Sequence, residues 1–378
     1  MNLVNLALTL ERFVQGQPPV TLAAMQCVRT LDKASECDLC ARACPVGAIR
    51  LEGGVQIDAD ACIRCGLCLH TCPTGAISGT DNTPRLIYCA SQLTDRDVVE
   101  IACAHHPEPA TGDPAADAVL TVIGCLATLG VSAYLGLAAH KIRRVQVRLD
   151  SCAQCPLAVL QPAIERTIQG ASHWLTALDH RSVVGACAPT PRPKRRPVYS
   201  IKNPPVSRRG FFQAIGQGAR DFLPPLEDAS ERRRLITTLR QLAPTNSDRP
   251  VTGEGFTNLS VSDACTGCTT CARSCPTGAL EFLRNEEAFQ IRFLASECIN
   301  CGLCIEHCEP KALQRSGPPT LTELIDPEPV ILHSGALSRC RRCNTRFAGK
   351  PDGGLCPICA VRRDHPFGMR GRIGSPPP

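Results

Sequence analysis

The stretch CTGCTTCARSCPTGAL at 265–280 is answered downstream by CINCGLCIEHCEPKAL at 298–313. Both space their cysteines as C-x2-C-x2-C-x3-C: Cys265, Cys268, Cys271 and Cys275, then Cys298, Cys301, Cys304 and Cys308. Three thiolates on so tight a loop can grip three corners of one four-iron cubane, while the fourth, carried onto a short helix, reaches a second. Structural zinc is the competing use of grouped cysteines, but zinc pairs two C-x2-C knuckles instead of a triplet with a trailing Cys-Pro. The one departure is small: Glu309 stands between Cys308 and Pro310.

The closing phrase recurs as CPVGAI at 44–49, CPTGAI at 72–77, CPTGAL at 275–280 and CEPKAL at 308–313. The copies fall in two pairs, so the chain holds one small module twice. Both modules resemble the bacterial two-[4Fe–4S] ferredoxins. The resemblance implies that Cys265, Cys268, Cys271 and Cys308 hold one cluster, and Cys298, Cys301, Cys304 and Cys275 a second. In the N-terminal module it assigns Cys62, Cys65, Cys68 and Cys44 to an intact cluster. It leaves Cys37, Cys40 and Cys72 one ligand short, because Ala34 stands where the leading cysteine is expected. Cys27 can loop back to fill the place. Otherwise the site holds a three-iron cluster or an iron open to substrate, and Cys27 is a buried thiol.

Composition agrees. At 378 residues the chain is too long for one ordinary domain. Hydrophobic residues make up 43%, aromatics only 4%, and there are 26 cysteines, which excludes both disorder and a short disulfide-stapled secreted domain. The net charge of +6 is small and does not by itself point to nucleic acid, and cubanes of about −2 each with their thiolates would cancel it. The start, MNLVNLALTLERFVQG, lacks the basic end and cleavage site of a secretory signal. Reduced thiols used for metal then imply a cytoplasmic protein.

Between the modules, 85–89 (RLIYC), 119–125 (VLTVIGC) and 145–149 (VQVRL) read as strands, with helical stretches at 94–104, 126–141 and 157–170. That alternation predicts a small parallel α/β domain. Cys89 and Cys125 end the first two strands, and Cys152 and Cys155 follow the third in LDSCAQCP. Ligands bind beyond the carboxyl ends of such strands, so these four thiols are expected to converge there, the alternative being ordinary buried cysteines. The order and spacing over 85–170 resemble the delta subunit of methyl-viologen-reducing hydrogenases, associated with heterodisulfide reductases. That resemblance implies a [2Fe–2S] cluster, although SCAQCP stands where the family has GC-x-x-x-x-C-H. Cys103 and Cys187 have no evident partners, and His105-His106 reads as a loop. The apolar run at 118–139 is long enough to span a bilayer, but its small residues and the break at Gly124-Cys125 favour a buried strand running into a helix.

Near the C-terminus, Cys340-x2-Cys343 and Cys356-x2-Cys359 supply four thiolates for a closed tetrahedron, a zinc ribbon, with mononuclear iron as the alternative. Arg339, Arg341, Arg342, Arg346, Arg362 and Arg363 make it basic. An acidic redox partner accounts for that charge as well as nucleic acid does, and no aromatic platform accompanies it. Residues 188–209 are proline- and arginine-rich and read as a linker, with a helix over 226–243. The phrase at 207–212 (SRRGFF) looks like a twin-arginine export motif, but it is internal and no long apolar segment follows. Residues 200–320 also loosely resemble the cytoplasmic ferredoxin-type accessory proteins of nitrate-reductase systems.

The expected fold class is therefore α+β and α/β multidomain, with two ferredoxin-like modules flanking a small parallel α/β domain and a zinc ribbon at the end. The expected division is a ferredoxin module at 1–80, an α/β domain at 81–187, linker and helix at 188–250, a second module at 251–325, a ribbon at 326–365 and a disordered tail at 366–378. The expected function is a relay of single electrons between a donor and a partner hydrogenase, dehydrogenase or reductase, as a subunit more than a stand-alone enzyme. A catalytic iron–sulfur reductase subunit and a maturation factor are the alternatives. No membrane span is expected, and peripheral association stays open.

Overall fold

The computed structural model describes residues 19–364, apart from 94–95, 189, 191, 206–228, 244–247, 252, 254 and 349–353. The export-like phrase at 207–212 and the tail at 366–378 lie outside the described residues. The chain divides into two compact units, 1–249 and 250–378.

After a single helical turn at Val28–Leu31, the first unit has two short helices, α1 (Leu39–Ala43) and α2 (Leu67–Thr71), each set among cysteines. Two small antiparallel ladders frame them, Thr21–Leu22 with Ile77–Ser78 and Ile49–Arg50 with Gln56–Ile57. Ile49, Cys68, Leu69 and Ile77 form the core of this half, which is slight. So little buried apolar surface holds a fold of this size only with help from metal.

The chain then runs through α3 (Thr83–Ser91), β1 (Val98–Cys103), β2 (Ala118–Val122), α4 (Val131–Ala139), β3 (Arg144–Val147), α5 (Gln161–Ala177), β4 (Val183–Ala186) and β5 (Val198–Ser200). The sheet order is β5-β2-β1-β3-β4 and every pair is parallel. Val99, Ile101, Leu120, Val145 and Val147 are buried within it, against Leu135 and Leu137 of α4 and Ile164 and Ile168 of α5. The parallel α/β expectation holds, and the 118–139 run is a strand, a turn and a nine-residue helix. No helix among the described residues is long and apolar enough to cross a membrane.

Three local readings are corrected. Residues 85–89 are helical, not a strand: Asp81 Oδ1 accepts the Thr83 N–H at 2.9 Å and Pro84 occupies the first turn, both helix-start devices. Residues 98–103 (VVEIAC), read as part of a helix, form the central strand, as β-branched residues buried on both faces should. The segment read as linker supplies β5, which adds to the sheet edge between prolines, where a missing N–H is tolerated. It also supplies the buried Arg196.

Arg196 explains why the edge is fastened. Its Nη1 and Nη2 donate to Glu100 at 2.6 and 3.0 Å, and Arg148 Nη1 donates to the same carboxylate at 3.2 Å. Glu100 lies in mid-strand, and this charge could not sit there unpaired.

A further helix, α6 (Glu231–Leu242), closes the unit. Ser230 caps it, its Oγ accepting the Arg233 N–H. Glu231 accepts from the Ser132 N–H at 2.7 Å and the Ser132 hydroxyl at 2.6 Å, which ties α6 to α4. The same carboxylate stands 3.9 Å from His70 on α2, and Arg234 reaches Asp81 at 2.5 Å.

The second unit runs β6 (Asn258–Val261), α7 (Thr270–Arg273), β7 (Leu280–Arg284), β8 (Ala288–Phe293), α8 (Leu303–Glu306), β9 (Leu313–Gly317), α9 (Leu321–Ile325), β10 (Val330–Arg339), β11 (Arg346–Ala348) and α10 (Pro357–Asp364). Strands β6 and β9 pair antiparallel, and β7-β8-β10-β11 form an antiparallel sheet. Phe289, Ile291 and Phe293 of β8 carry its core. Because β10 pairs with β8 and ends at Arg339, next to Cys340, the four-cysteine segment continues directly from this sheet.

Candidate metal centres

The cysteine loops repeat in backbone as well as in sequence. Arg64 and Gly66, Gly267 and Thr269, and Asn300 and Gly302 occupy matching places within three cysteine triplets, and all six have positive φ. Glycine meets that demand at Gly66 and Gly302 without strain, whereas Thr269, β-branched at φ +69°, does not. Downstream of each fourth cysteine, Gly47, Gly75, Gly278 and Lys311 are left-handed in turn. The irregular first loop differs: Asp38, where the others have a left-handed residue, sits at φ −129°. Without a leading cysteine at position 34, that loop is not wound round the site in the same way.

Three of the sets gather as four. Cys44, Cys62, Cys65 and Cys68 line one small cavity, Cys265, Cys268, Cys271 and Cys308 a second, and Cys275, Cys298, Cys301 and Cys304 a third. Burial, helped by repulsion from the neighbouring sulfurs, pushes the Cys65 thiol up to about 11 and those of Cys68 and Cys304 up to about 12. Four thiols so placed ionise together only when a cation shares their charge. In the irregular set, burial pushes Cys40 up to about 11, with Cys37, Cys72 and Cys27 each adding repulsion. Cys27, at the head of a short helical turn, thus stands beside Cys37, Cys40 and Cys72.

The middle sheet holds a fifth gathering, with one member exchanged. Cys103, Cys125, Cys152 and Cys155 line a cavity of ≈330 Å³ at the carboxyl ends of β1, β2 and β3. This is where the sheet order reverses direction, the usual place for a ligand. Cys125 is pushed up to about 12 by burial, with Cys103, Cys152 and Cys155 adding repulsion. Cys89 is not among them. It lies fully buried in α3, its thiol raised to about 12 by burial alone. Sequence reasoning took the wrong cysteine because it placed the first strand one element too early; the signal for Cys103 was the VVEIAC run that ends on it. Cys187 stands apart, beside Glu100 and Arg148.

His106 lines the same cavity but is engaged: its Nδ1 accepts the Glu108 N–H at 3.1 Å, so Nε2 carries the proton of the neutral ring, 3.1 Å from Asp150. The Arg148 hydrogen bonds beside Asp150 hold that carboxyl down at about 2. The Tyr134 hydroxyl is buried without a hydrogen-bond partner, near enough to Cys125 that charge on that sulfur raises it further after burial.

Cys340, Cys343, Cys356 and Cys359 differ in scale. Their sulfurs all lie within 4.8 Å of one another, the only such set among the described residues. That spacing suits a single ion, and the wider cysteine sets suit a polynuclear one. Burial raises the Cys340 thiol, but N–H groups of Cys356, Cys343 and Arg342 outweigh it and bring it to about 6.

A family model described as a 4Fe–4S dicluster domain matches residues 258–309, and a second model of that description matches residues 14–76. Neither reaches the middle sheet. No curated protein matches the chain. Two dicluster domains on one chain indicate a multi-cluster electron-transfer role.

Proposed function

We propose that the protein relays single electrons between a redox donor and a partner oxidoreductase such as a hydrogenase, dehydrogenase or reductase, in the cytoplasm. The observation that carries the reading is the recurrence of four-thiol sets on loops of one backbone shape. When bound, four-iron clusters supply one-electron storage at potentials that the protein sets. The chain's part is to hold them. Cys44, Cys62, Cys65 and Cys68 form one site; Cys265, Cys268, Cys271 and Cys308 a second; Cys275, Cys298, Cys301 and Cys304 a third. Cys27 completes the fourth with Cys37, Cys40 and Cys72, from outside the usual loop. The segments 1–80 and 251–325 are the cluster modules in this reading.

Cys103, Cys125, Cys152 and Cys155 would hold a fifth centre, a two-iron cluster if the hydrogenase-delta resemblance extends to this domain. The donor set fits, and the unpartnered Tyr134 hydroxyl supports it, since sulfur in that pocket would accept its proton. Cys340, Cys343, Cys356 and Cys359 suit structural zinc. The test is an anaerobic count of iron, labile sulfide and zinc. The expected result is about 18 iron and about one zinc. About 16 iron would remove the middle centre, a count near 8 would mean that only one module is populated, and iron-free protein with zinc in these positions would overturn the relay.

The ≈330 Å³ cavity beside the middle thiols favours a second reading, a reductase subunit with chemistry at that centre. A substrate-dependent change in the EPR signal of one centre would select it.

A further inference from the structure

The second unit changes sign along its length. Residues 251–338 carry eleven acidic side chains against five basic ones, whereas 339–364 carry seven basic against two acidic. A zinc ion with its four thiolates would take two charges from the second stretch and still leave it positive, while cubanes would make the first more negative. We propose that the arginine face of the four-cysteine ribbon docks an acidic one-electron carrier protein, and that the electron crosses there, at the Cys268 edge of the cluster held by Cys265, Cys268, Cys271 and Cys308. The inference rests on the relay reading and gives it a port and a class of partner.

Two cores share one hairpin, and that sets the ribbon beside the cluster loop. Across β10 and β11 the register pairs Leu337 with Ala348, Ser338 with Phe347 and Arg339 with Arg346. Leu337 and Ala348 pack into the core of the cluster module along with Cys265 and Cys271, whereas Phe347 packs on Cys340, Cys356 and Cys359. Ala348 also abuts the cysteine loop itself: a Cβ added to Gly267 would come within 2.7 Å of the Ala348 Cβ. Cys268 follows Gly267, and it is the one exposed cysteine among the cluster candidates of the described residues. Side chains opposite one another in a ladder share a face, and so do those two apart on one strand. Arg339 and Arg346 therefore stand on the cluster side of the hairpin, about 7 Å along the strands from Ala348.

Folding alone gives no reason for this charge. Like charges directly opposite across a ladder cost stability. Arg346 is answered by Glu286 at 3.2 Å and by the Asn285 carbonyl. Arg339, Arg341, Arg342 and Arg362 are exposed and make no ion pair among the described residues, so the acidic side chains of their own unit are not what they serve. Ile358 and Val361 are exposed on α10 and share one helix face with Arg362. Apolar contacts beside arginines suit a docking site, where charge speeds encounter and orients the partner. No bond forms or breaks in the transfer: the reduced carrier loses one electron and the cluster gains it.

The test is anaerobic stopped-flow reduction of the full-length, metal-loaded protein by a reduced acidic flavodoxin, the probe carrier, over a range of salt. The second-order rate should fall steeply with salt. At low salt it should fall about tenfold when Arg339→Gln, Arg341→Gln, Arg342→Gln and Arg362→Gln are combined, with iron and zinc content unchanged. Lysine at the same four positions should keep the wild-type rate, since steering reads charge. Reduction by a viologen radical, a small cation, should not slow in the glutamine variant. Should the fourfold variant lose metal, Arg339→Gln and Arg362→Gln singly carry the comparison, each slowing the carrier and not the viologen. A rate that neither salt nor glutamine alters, at full iron content, would overturn the docking site and leave the relay intact. So would glutamine variants that lose only binding to duplex DNA, which would make the ribbon a nucleic-acid surface. A protein without iron at these cysteines would overturn the relay itself.

Discussion

Replacing Glu100 with glutamine should unfold the middle domain far more readily while changing one atom of the side chain. The Glu100 side chain is 0% exposed and accepts from Arg196 twice, from Arg148 once and from the Asp113 N–H at 2.9 Å. Arg196 and Arg148 are themselves only 3% and 9% exposed. Neutralising the carboxylate leaves two buried guanidinium groups that share no buried anion. Breaking a buried ion pair from one side costs roughly 3–5 kcal/mol. With a urea dependence of about 2 kcal/mol per molar, the unfolding midpoint should fall by about 2 M. The chain's single tryptophan, Trp174, lies on α5 against this sheet, so its fluorescence reports this domain alone. Replacing Glu100 and Arg196 together with methionine should restore much of the loss, because the charge goes with its partner. If glutamine shifts the midpoint by less than ~0.5 M, the carboxylate is not what fastens the sheet edge, and β5 must be held by its backbone ladder.

Other expectations concern the sites. Cys103→Ala should lose about two iron while Cys89→Ala loses none, and the reverse result would return Cys89 to the cluster. Cys27→Ser should lower the iron count and change the signal of one centre only; full iron and an unaltered spectrum would make Cys27 a bystander. Thr269→Gly should stabilise the second unit by about 1 kcal/mol, since a β-branched residue is removed from a left-handed position, and thermal unfolding of the variant checks the sign.

What could be read in the residues follows from how locally each feature is encoded. The gathering of Cys44 with 62–68, and of the two sets from 265–308, was legible because each set is encoded as a fixed cysteine spacing within one loop, whatever the rest of the chain does. The four-cysteine set at 340–359 was legible for the same reason. Cys103 was not, because its partners arrive from three strands, and only the sheet order brings them together. RLIYC looked like a strand by its apolar run, yet Asp81 and Pro84 upstream had already committed it to a helix. The proline-rich segment before Lys202 looked unable to fold alone, which is true; it is ordered by docking as an edge strand and by the buried pairing of Arg196. Polarity at a single residue gave no hint that its partner lay 96 positions away.

Helix α6 has a consequence for how the chain is made. Ser132 and His70 wait for Glu231, which leaves the ribosome about a hundred residues after the serine it pairs with. During synthesis the N-terminal module and the middle sheet therefore emerge with a shared flank uncovered. A nascent chain stalled before residue 231 should engage chaperones and stay open to proteolysis there, whereas one extended past Leu242 should not.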